Sequence, residues 1–409
     1  MHQRFILALA ELLPFIGCHL GLPLKALLIL FSLNNVFFFL AMFLILVKRN
    51  DLNGAVAMTA LMAFTSLNLF VSPMLEIWYG AAFAILLFSI LQKDIFTKKD
   101  YLWIALLEIT VLFSHPENFI LIGFIMLLDI QKRRKFNRMH LMILIIIIVT
   151  GIYKYFTLDS YEGGKLGWDM RFTNLKLLDA GWLKSIGVLL YRFYWVLLLL
   201  LFASCIKYAV SKQYFRGAIV FFAFAGTVAL VNAVDRNNVF SHYGSVMYMP
   251  IVTLVVLPFF YDTFGPMKEK AKTIAFALFI LVVCFRFYRQ PRDIDAFISR
   301  IGQIERIIDA SDKQGGSKFI VNSQNYRKPY SKIEWSYPME TLLLSAERGK
   351  NMSRSIITDE DTSEMKTKVI FTDTSIFVWR QWDLIHDKDL NPKYFHIQSG
   401  IYKPLDFRE

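Results

Sequence analysis

Ser114-His115-Pro116-Glu117-Asn118 interrupts an apolar stretch that runs from Tyr101 to Phe113 before it and from Phe119 to Ile130 after it. Those two runs carry only Glu108 and Asp129 as charges. At ~1.5 Å per residue neither run reaches the ~30 Å of a bilayer's hydrocarbon core. The break therefore sits at some depth in a membrane or under the cover of neighbouring helices. A proline that frees backbone groups, with a His, a Glu and an Asn beside it, is tolerated only where protein or a water-filled cavity receives those groups. Such a stretch is a candidate site by default.

Working outward, the composition supports the same class. Of 409 residues, 56% are hydrophobic, 16% aromatic and only 19% charged, values that belong to a polytopic membrane protein. The net charge of +12 is confined almost wholly to residues 1–288, because 289–409 hold 19 basic and 18 acidic residues. A basic surplus in short loops between apolar runs is a topology signal and not a nucleic-acid footprint. Cys18, Cys205 and Cys284 all lie in apolar stretches, so neither a disulfide framework nor a zinc site is argued.

In order, Phe5 to Leu22 holds Glu11, Pro14 and His19 and reads either as a poor span or as a helix lying at the interface. Spans are expected at Leu24–Val47, Asn53–Val71, Met74–Gln92, the two short runs around His115, Met139–Phe156, Lys184–Ile206, Gly217–Val234, Met249–Phe264 and Thr273–Tyr288. The total is ten, or eleven with the first run, in a mainly α transmembrane bundle. The loops 48–51, 93–100, 131–138, 207–216 and 265–272 hold sixteen basic residues against eight in the opposite set, which puts the first set in the cytoplasm. The His115 stretch, the loops 157–182 and 235–248 and everything after residue 288 then face outward.

Residues 1–288 are thus expected to form a transmembrane helical domain and 289–409 a small extracytoplasmic α/β domain. In the latter, Asp293 to Lys313 places Ile294, Phe297, Ile298, Ile301, Ile304, Ile307 and Ile308 on one helical face. Lys318–Asn322 and Val369–Asp373 read as strands and Met339–Arg348 as a helix.

Four outward-facing clusters can carry chemistry. His115, Glu117 and Asn118 form the first; the alternative is a turn that caps its own two helices. Glu76 is the second, a carboxylate a few residues inside a span, where Glu snorkels poorly on its short stem. Asp235-Arg236-Asn237-Asn238 with His242 and Tyr243 is the third, either a phosphate clamp built on a planar guanidinium or an ordinary polar turn. Asp159, Glu162, Asp169 and Arg171 form the fourth, which also reads as a solvated connection. Arg192 lies within an apolar run and calls for a carboxylate or a lipid phosphate as partner, whereas Arg286 can snorkel. No soluble nucleotide, hydrolase or zinc motif is present, and Trp335-Ser336-Tyr337-Pro338 and Trp379-Arg380-Gln381-Trp382 read as sugar contacts or as core and rim.

This layout, with His115-Pro116-Glu117-Asn118, Glu76 and Asp235-Arg236 on the outer side, resembles bacterial multi-pass membrane glycosyltransferases of the GT-C superfamily. The resemblance covers roughly residues 1–290 and implies a polyprenyl-phosphate-linked sugar donor, the cytoplasmic (inner) membrane and surface polysaccharide assembly in the cell envelope. It further implies Glu76, Glu117 and His115 as catalytic residues, and Asn118, Arg192, Arg236, His242, Tyr243 and Asp159 as substrate-binding ones. In the family an acidic residue is the base toward the acceptor, and basic residues, in some members with a divalent cation, neutralise the leaving phosphate. Members usually open with a span and an outer loop bearing the catalytic acid. This chain opens at Met1-His2-Gln3-Arg4, so either that first span is missing or Glu11 or Glu76 supplies the carboxylate. A non-catalytic, flippase-like, polymerase-like or transporter component is the competing expectation; a transporter would show two matching halves, which are not seen.

A reporter active only in the cytoplasm, fused after Glu409, is expected to be silent; a strong signal would overturn the loop-charge topology.

Overall fold

The computed structural model describes residues 6–64, 76–157, 180–234, 249–289, 291–322, 336–358, 368–380 and 383–407. In chain order the helices are α1 (Leu7–Ala10), α2 (Leu12–His19), α3 (Leu24–Lys48), α4 (Leu52–Phe64), α5 (Glu76–Leu91), α6 (Lys98–Ser114), α7 (Asn118–Arg133) and α8 (Arg138–Phe156). They continue with α9 (Ala180–Phe193), α10 (Trp195–Val210), α11 (Tyr214–Val234), α12 (Met249–Pro258), which runs on as a π-helical turn Phe259–Phe264, and α13 (Glu269–Arg289). After residue 290 come α14 (Pro291–Gln314), β1 (Lys318–Val321), α15 (Tyr337–Glu347), β2 (Ser355–Thr358), β3 (Ile376–Arg380), β4 (Asp383–His386) and β5 (Lys403–Pro404). The chain divides into two compact units, Met1–Leu13 with Phe31–Gln290, and Pro14–Leu30 with Pro291–Glu409.

The first unit is a helical bundle around a large apolar core, with α5 and α12 at its centre and almost wholly buried, and a smaller cluster of Ile6, Ala10 and Tyr79 beside it. Among the described residues four helices are long and apolar enough to cross a membrane, within α3, α8, α11 and α13; α4, α5, α10 and α12 with its π turn are apolar but shorter. The expected single span Lys184–Ile206 is instead two helices, broken at Tyr194, whose backbone leaves helical geometry at φ −124°, ψ 16°. A run of bulky aromatics, Tyr191, Phe193, Tyr194 and Trp195, favours helix weakly there. The expected span Met249–Phe264 changes character at Pro258, which lacks the N–H that an α-helical ladder needs, and the following turn widens until Gly265 N–H reaches Phe260 O at 2.9 Å.

The first run is not one continuous helix. It breaks at Glu11 into α1 and α2, and Asn34, halfway along α3, stitches the break: its amide donates to Leu9 O and Ala10 O and its carbonyl accepts from Leu13 N–H. Leu12, Phe15, Ile16 and Leu20 remain exposed.

One end of the bundle is closed by ion pairs among the basic turns. Arg133 donates to Asp129 at 2.7 Å and to the carbonyls of Leu91 and Lys93, so it caps the last turn of α5 from α7. His140 Nδ1 accepts from Asn137 N–H, which assigns the ring proton to Nε2, and Nε2 donates to Asp129 Oδ2 at 2.8 Å. Lys93 pairs with Asp100, and this bond, with those from Thr97, holds the Asp100 carboxyl down to about 2. Asp51 caps α4 through Gly54 N–H and accepts from Tyr261, while Asp262 accepts from Tyr208 at 2.5 Å and pairs with Arg216 at 2.7 Å.

In the second unit β2, β1 and β5 form a parallel sheet in the order β2-β1-β5, with α15 as the β1-to-β2 crossover, and β3 and β4 form an antiparallel hairpin. Phe319, Val321 and Ile356 pack on Ile304, Ile307 and Ile308 of α14, whereas Ile357 joins Phe377, Val378 and Tyr402 in a second core. The isoleucine face expected for α14 is only half used, since Ile298 and Ile301 near its start are exposed. Val369–Asp373 is not a strand. Lys368–Phe371 is a 3-10 turn, and Asp373 accepts from Ser375 N–H and Oγ in a side-chain turn that competes with extended backbone. The strand starts afterwards, at Ile376, where buried Lys318 donates to Thr374 O and Ile376 O and faces Asp387 at 3.4 Å. Burial pushes the Lys318 amine down and the Asp387 carboxyl up, and each is partly offset by the other. Trp379 packs against the second core and Tyr337 is buried in the first, so both serve as core residues.

Asp129→Ala leaves the His140 and Arg133 donors without their shared acceptor and is expected to cost about 3 kcal/mol, the scale of a broken buried pair. The readout is the thermal midpoint of the purified protein in detergent; an unchanged midpoint contradicts the network.

Candidate functional site

At the other end of the same helices α6 and α7 stop short. They are 17 and 16 residues long, about 25 Å at 1.5 Å per residue, and the chain turns between them through His115, Pro116 and Glu117. His115 is extended, φ −158° and ψ 143°, as a residue before proline must be. Ser114 Oγ donates to Val111 O at 2.6 Å, and the Asn118 amide donates to Ser114 Oγ at 2.6 Å. These bonds span the turn and fix α7 against α6.

The turn is sealed against α5 at Gly80. A Cβ there would stand 2.1 Å from Ser114 Oγ and 2.2 Å from Asn118 Nδ2, so the three helices meet at a contact only glycine permits. Glu76 lies four residues before Gly80 on the same face of α5, one turn or ~6 Å nearer the end of the bundle. Above the Gly80 contact the bundle therefore carries Glu76 from one helix and His115 and Glu117 from the turn of the other two. Glu76 and His115 are both buried and Glu117 is half-buried. Glu117 N–H donates to His115 Nδ1 at 3.3 Å, which assigns the neutral ring's proton to Nε2.

The structure thus places Asn118 at the Gly80 contact, Glu76 one turn further along α5, and His115 and Glu117 in the turn that joins α6 to α7. Asn118 is occupied differently from the sequence expectation: its amide is spent on Ser114 and Val111, and only Oδ1, which has no hydrogen-bond partner among the described residues, points elsewhere. Asp159, Arg236, His242 and Tyr243 lie outside the described residues, as does the Arg192 side chain. Glu11 is exposed, beside the break that Asn34 stitches. Among the described residues no cluster of three His, Cys, Asp or Glu side chains could hold a metal ion.

Three residues gain weight that sequence reasoning did not give them. Lys154 of α8 sits over the rings of Phe113 and Phe119, at 5.5 and 6.0 Å, and these two residues flank the turn on either side. Arg286 does not snorkel; it is buried and donates from Nε to Ala63 O at 3.1 Å, near the end of α4. Glu108, mid-way along α6, is fully buried with neither carboxylate oxygen hydrogen-bonded among the described residues, a costly placement in an apolar bundle. The signal for Lys154 was its spacing from the end of its run, which sets it level with His115. Only packing shows which helix it faces.

Comparison with known protein families, curated proteins and solved structures finds no match.

Gly80→Ala is expected to push α5 away from Ser114 and Asn118 and lower the thermal midpoint by several degrees, while Ala81→Gly, one residue on, has a much smaller effect. Equal effects at both positions would contradict the close approach.

Proposed function

We propose that the chain is an integral membrane glycosyltransferase-like protein that transfers a sugar from a lipid-phosphate donor on the outer face of the cytoplasmic membrane. The observation that carries the reading is the polar turn at the short ends of α6 and α7, which holds His115 and Glu117, with Glu76 one helical turn from the Gly80 contact, opposite the basic end of the bundle. In the proposed topology the basic turns face the cytoplasm, the four long apolar helices cross the membrane with the shorter ones packed among them, and residues 291–409 are extracytoplasmic.

Inverting transfer asks for two things in such a layer. A carboxylate must reach the acceptor hydroxyl, and positive charge must stand where the leaving phosphate develops its own. Glu76 is the assigned base, since its helix position aims it above the Gly80 contact; Glu117 is its alternate. His115, with its Nε2 proton, is the donor toward substrate oxygens. Lys154 lies on α8, which packs on α6 and α7, whereas Glu76 comes from α5, so the His115 turn separates cation from carboxylate. That separation suits an acceptor on one side and a lipid phosphate on the other. The internal bonding of Ser114 and Asn118 favours a second reading, a non-catalytic membrane component of polysaccharide assembly in which the turn is purely a helix junction.

Glu76→Gln and His115→Ala are expected to reduce sugar transfer from a lipid-linked donor by 100-fold or more with expression unchanged. Lys154→Gln is expected to act chiefly on KM for the lipid phosphate and to be rescued in part by Lys154→Arg. Unchanged transfer in Glu76→Gln and His115→Ala together removes the catalytic assignment in favour of the second reading.

A further inference from the structure

Within the first unit, α10 and α11 are joined by a short closed turn. Lys212 lies in the left-handed region at φ 55°, Gln213 N–H donates to Tyr208 O at 2.8 Å and Lys212 N–H to Ala209 O at 3.0 Å, so the last carbonyls of α10 are satisfied within the turn. The two helices pack on each other, and small residues at the contact, Ala209 on α10 with Gly217 and Ala218 on α11, leave a groove of about 290 Å³. That volume is close to the ~300 Å³ at which ligand pockets begin. Tyr208 lines the groove from below and is held there: it is buried, its hydroxyl donates to Asp262 at 2.5 Å, and the Arg216 guanidinium lies 5.7 Å from its ring centroid. Tyr214 and Phe221, both exposed, flank the small residues on α11.

The charges at this end of the groove are of one sign. Residues 207–216 hold Lys207, Lys212 and Arg216 and no acid. Arg216 is matched by Asp262 at 2.7 Å, whereas Lys207 and Lys212 are exposed and neither pairs with an acid among the described residues. Tyr214–Val231 is one of the four helices long and apolar enough to cross a membrane, and Tyr214, Gly217, Ala218 and Phe221 occupy one face of its first two turns. In a membrane that position is the boundary between hydrocarbon and headgroups, where basic and aromatic side chains gather. A groove there is filled by a lipid tail or by another helix. A second copy of this chain meeting the groove side by side would set its own Lys207 and Lys212 against these, a like-charge contact that disfavours it, while an anionic lipid brings the opposite charge.

We infer that the α10–α11 groove is a binding site for an anionic phospholipid, with part of an acyl chain against Ala209, Gly217 and Ala218 and the phosphate on Lys207 and Lys212. The first N–H groups of a helix have no intrahelical partner, so the start of α11 adds donors on the phosphate side. The site lies at the basic end of the bundle, opposite the His115 turn, and is separate from the sugar-donor site proposed there. The inference rests on the part of that reading in which α11 crosses a membrane, and not on sugar transfer.

The test is native mass spectrometry of the full-length protein in detergent, titrated with phosphatidylglycerol or with phosphatidylcholine of the same chain length. The expected result is tighter binding of phosphatidylglycerol, weakened about fivefold for each lysine removed in Lys207→Gln and Lys212→Gln. Two groove-filling variants, Ala209→Leu and Gly217→Leu, are expected to weaken both lipids severalfold at an unchanged thermal midpoint. Both positions tolerate a larger side chain: Ala209 is exposed, and a Cβ at Gly217 meets Tyr208 at an ordinary 3.4 Å. Lys154→Gln, the change aimed at the proposed sugar-donor site, is expected to leave this binding as it is, so the two readings fail separately. Equal binding of the two lipids, or binding that neither groove-filling variant alters, overturns the site. So does displacement of phosphatidylglycerol by inorganic phosphate, which would mark a phosphate site without a lipid, or a lipid-free dimer that Ala209→Leu dissociates, which would make a second copy the occupant.

Discussion

The contact of Gly80 with Ser114 and Asn118 is the constraint on which the rest of the bundle depends. A helix pair that stops at about 25 Å leaves polar side chains and a proline turn inside apolar surroundings, where unpaired polar groups are costly. Here the cost is met locally: Ser114 bonds back to Val111, Asn118 bonds to Ser114, and a glycine lets α5 close over both. With that contact in place Glu76 stands one turn further along α5, and His115 and Glu117 lie in the turn between α6 and α7.

The two ends of the bundle solve the same problem in opposite ways. At the basic end charged groups are matched with defined partners, Asp129 with Arg133 and His140, Asp262 with Arg216 and Tyr208, Asp51 with Tyr261 and the first turn of α4. Arg133 also ties down the last carbonyls of α5, so this end reads as a rigid base. At the other end acidic and basic groups are set on different helices around a turn, Glu76 on α5 and Lys154 on α8. Paired charges at one end and a polar turn at the other is the division on which the proposed site relies.

How much of this was legible follows the physics of each signal. The long apolar helices α3, α8, α11 and α13 lie where hydropathy places them, and the break at Ser114 to Asn118 is written in a proline and three polar residues. What failed was local chemistry overriding pattern: Asp373 turns the chain through Ser375 where a strand was expected, Tyr194 breaks an apolar run, and Pro258 widens one. Long-range contacts were illegible in principle. Nothing in the sequence marks Gly80 as the partner of residues 34 and 38 positions later, Asn34 as the stitch for Leu9 to Leu13, or Arg286 as an inward-facing donor. The hallmarks expected at Asp159, Arg236, His242 and Tyr243 fall outside the described residues, so the site rests on Glu76, His115 and Glu117.

The central claim is that the layer above Gly80 opens to the outside and holds a lipid phosphate. It is tested most directly by placing a single cysteine at His115 in an otherwise cysteine-free protein and labelling intact cells with a membrane-impermeant maleimide, with and without farnesyl phosphate. The account predicts labelling from outside that farnesyl phosphate slows severalfold and inorganic phosphate does not. Labelling only in inverted membrane vesicles, or labelling that farnesyl phosphate leaves unchanged, would contradict it.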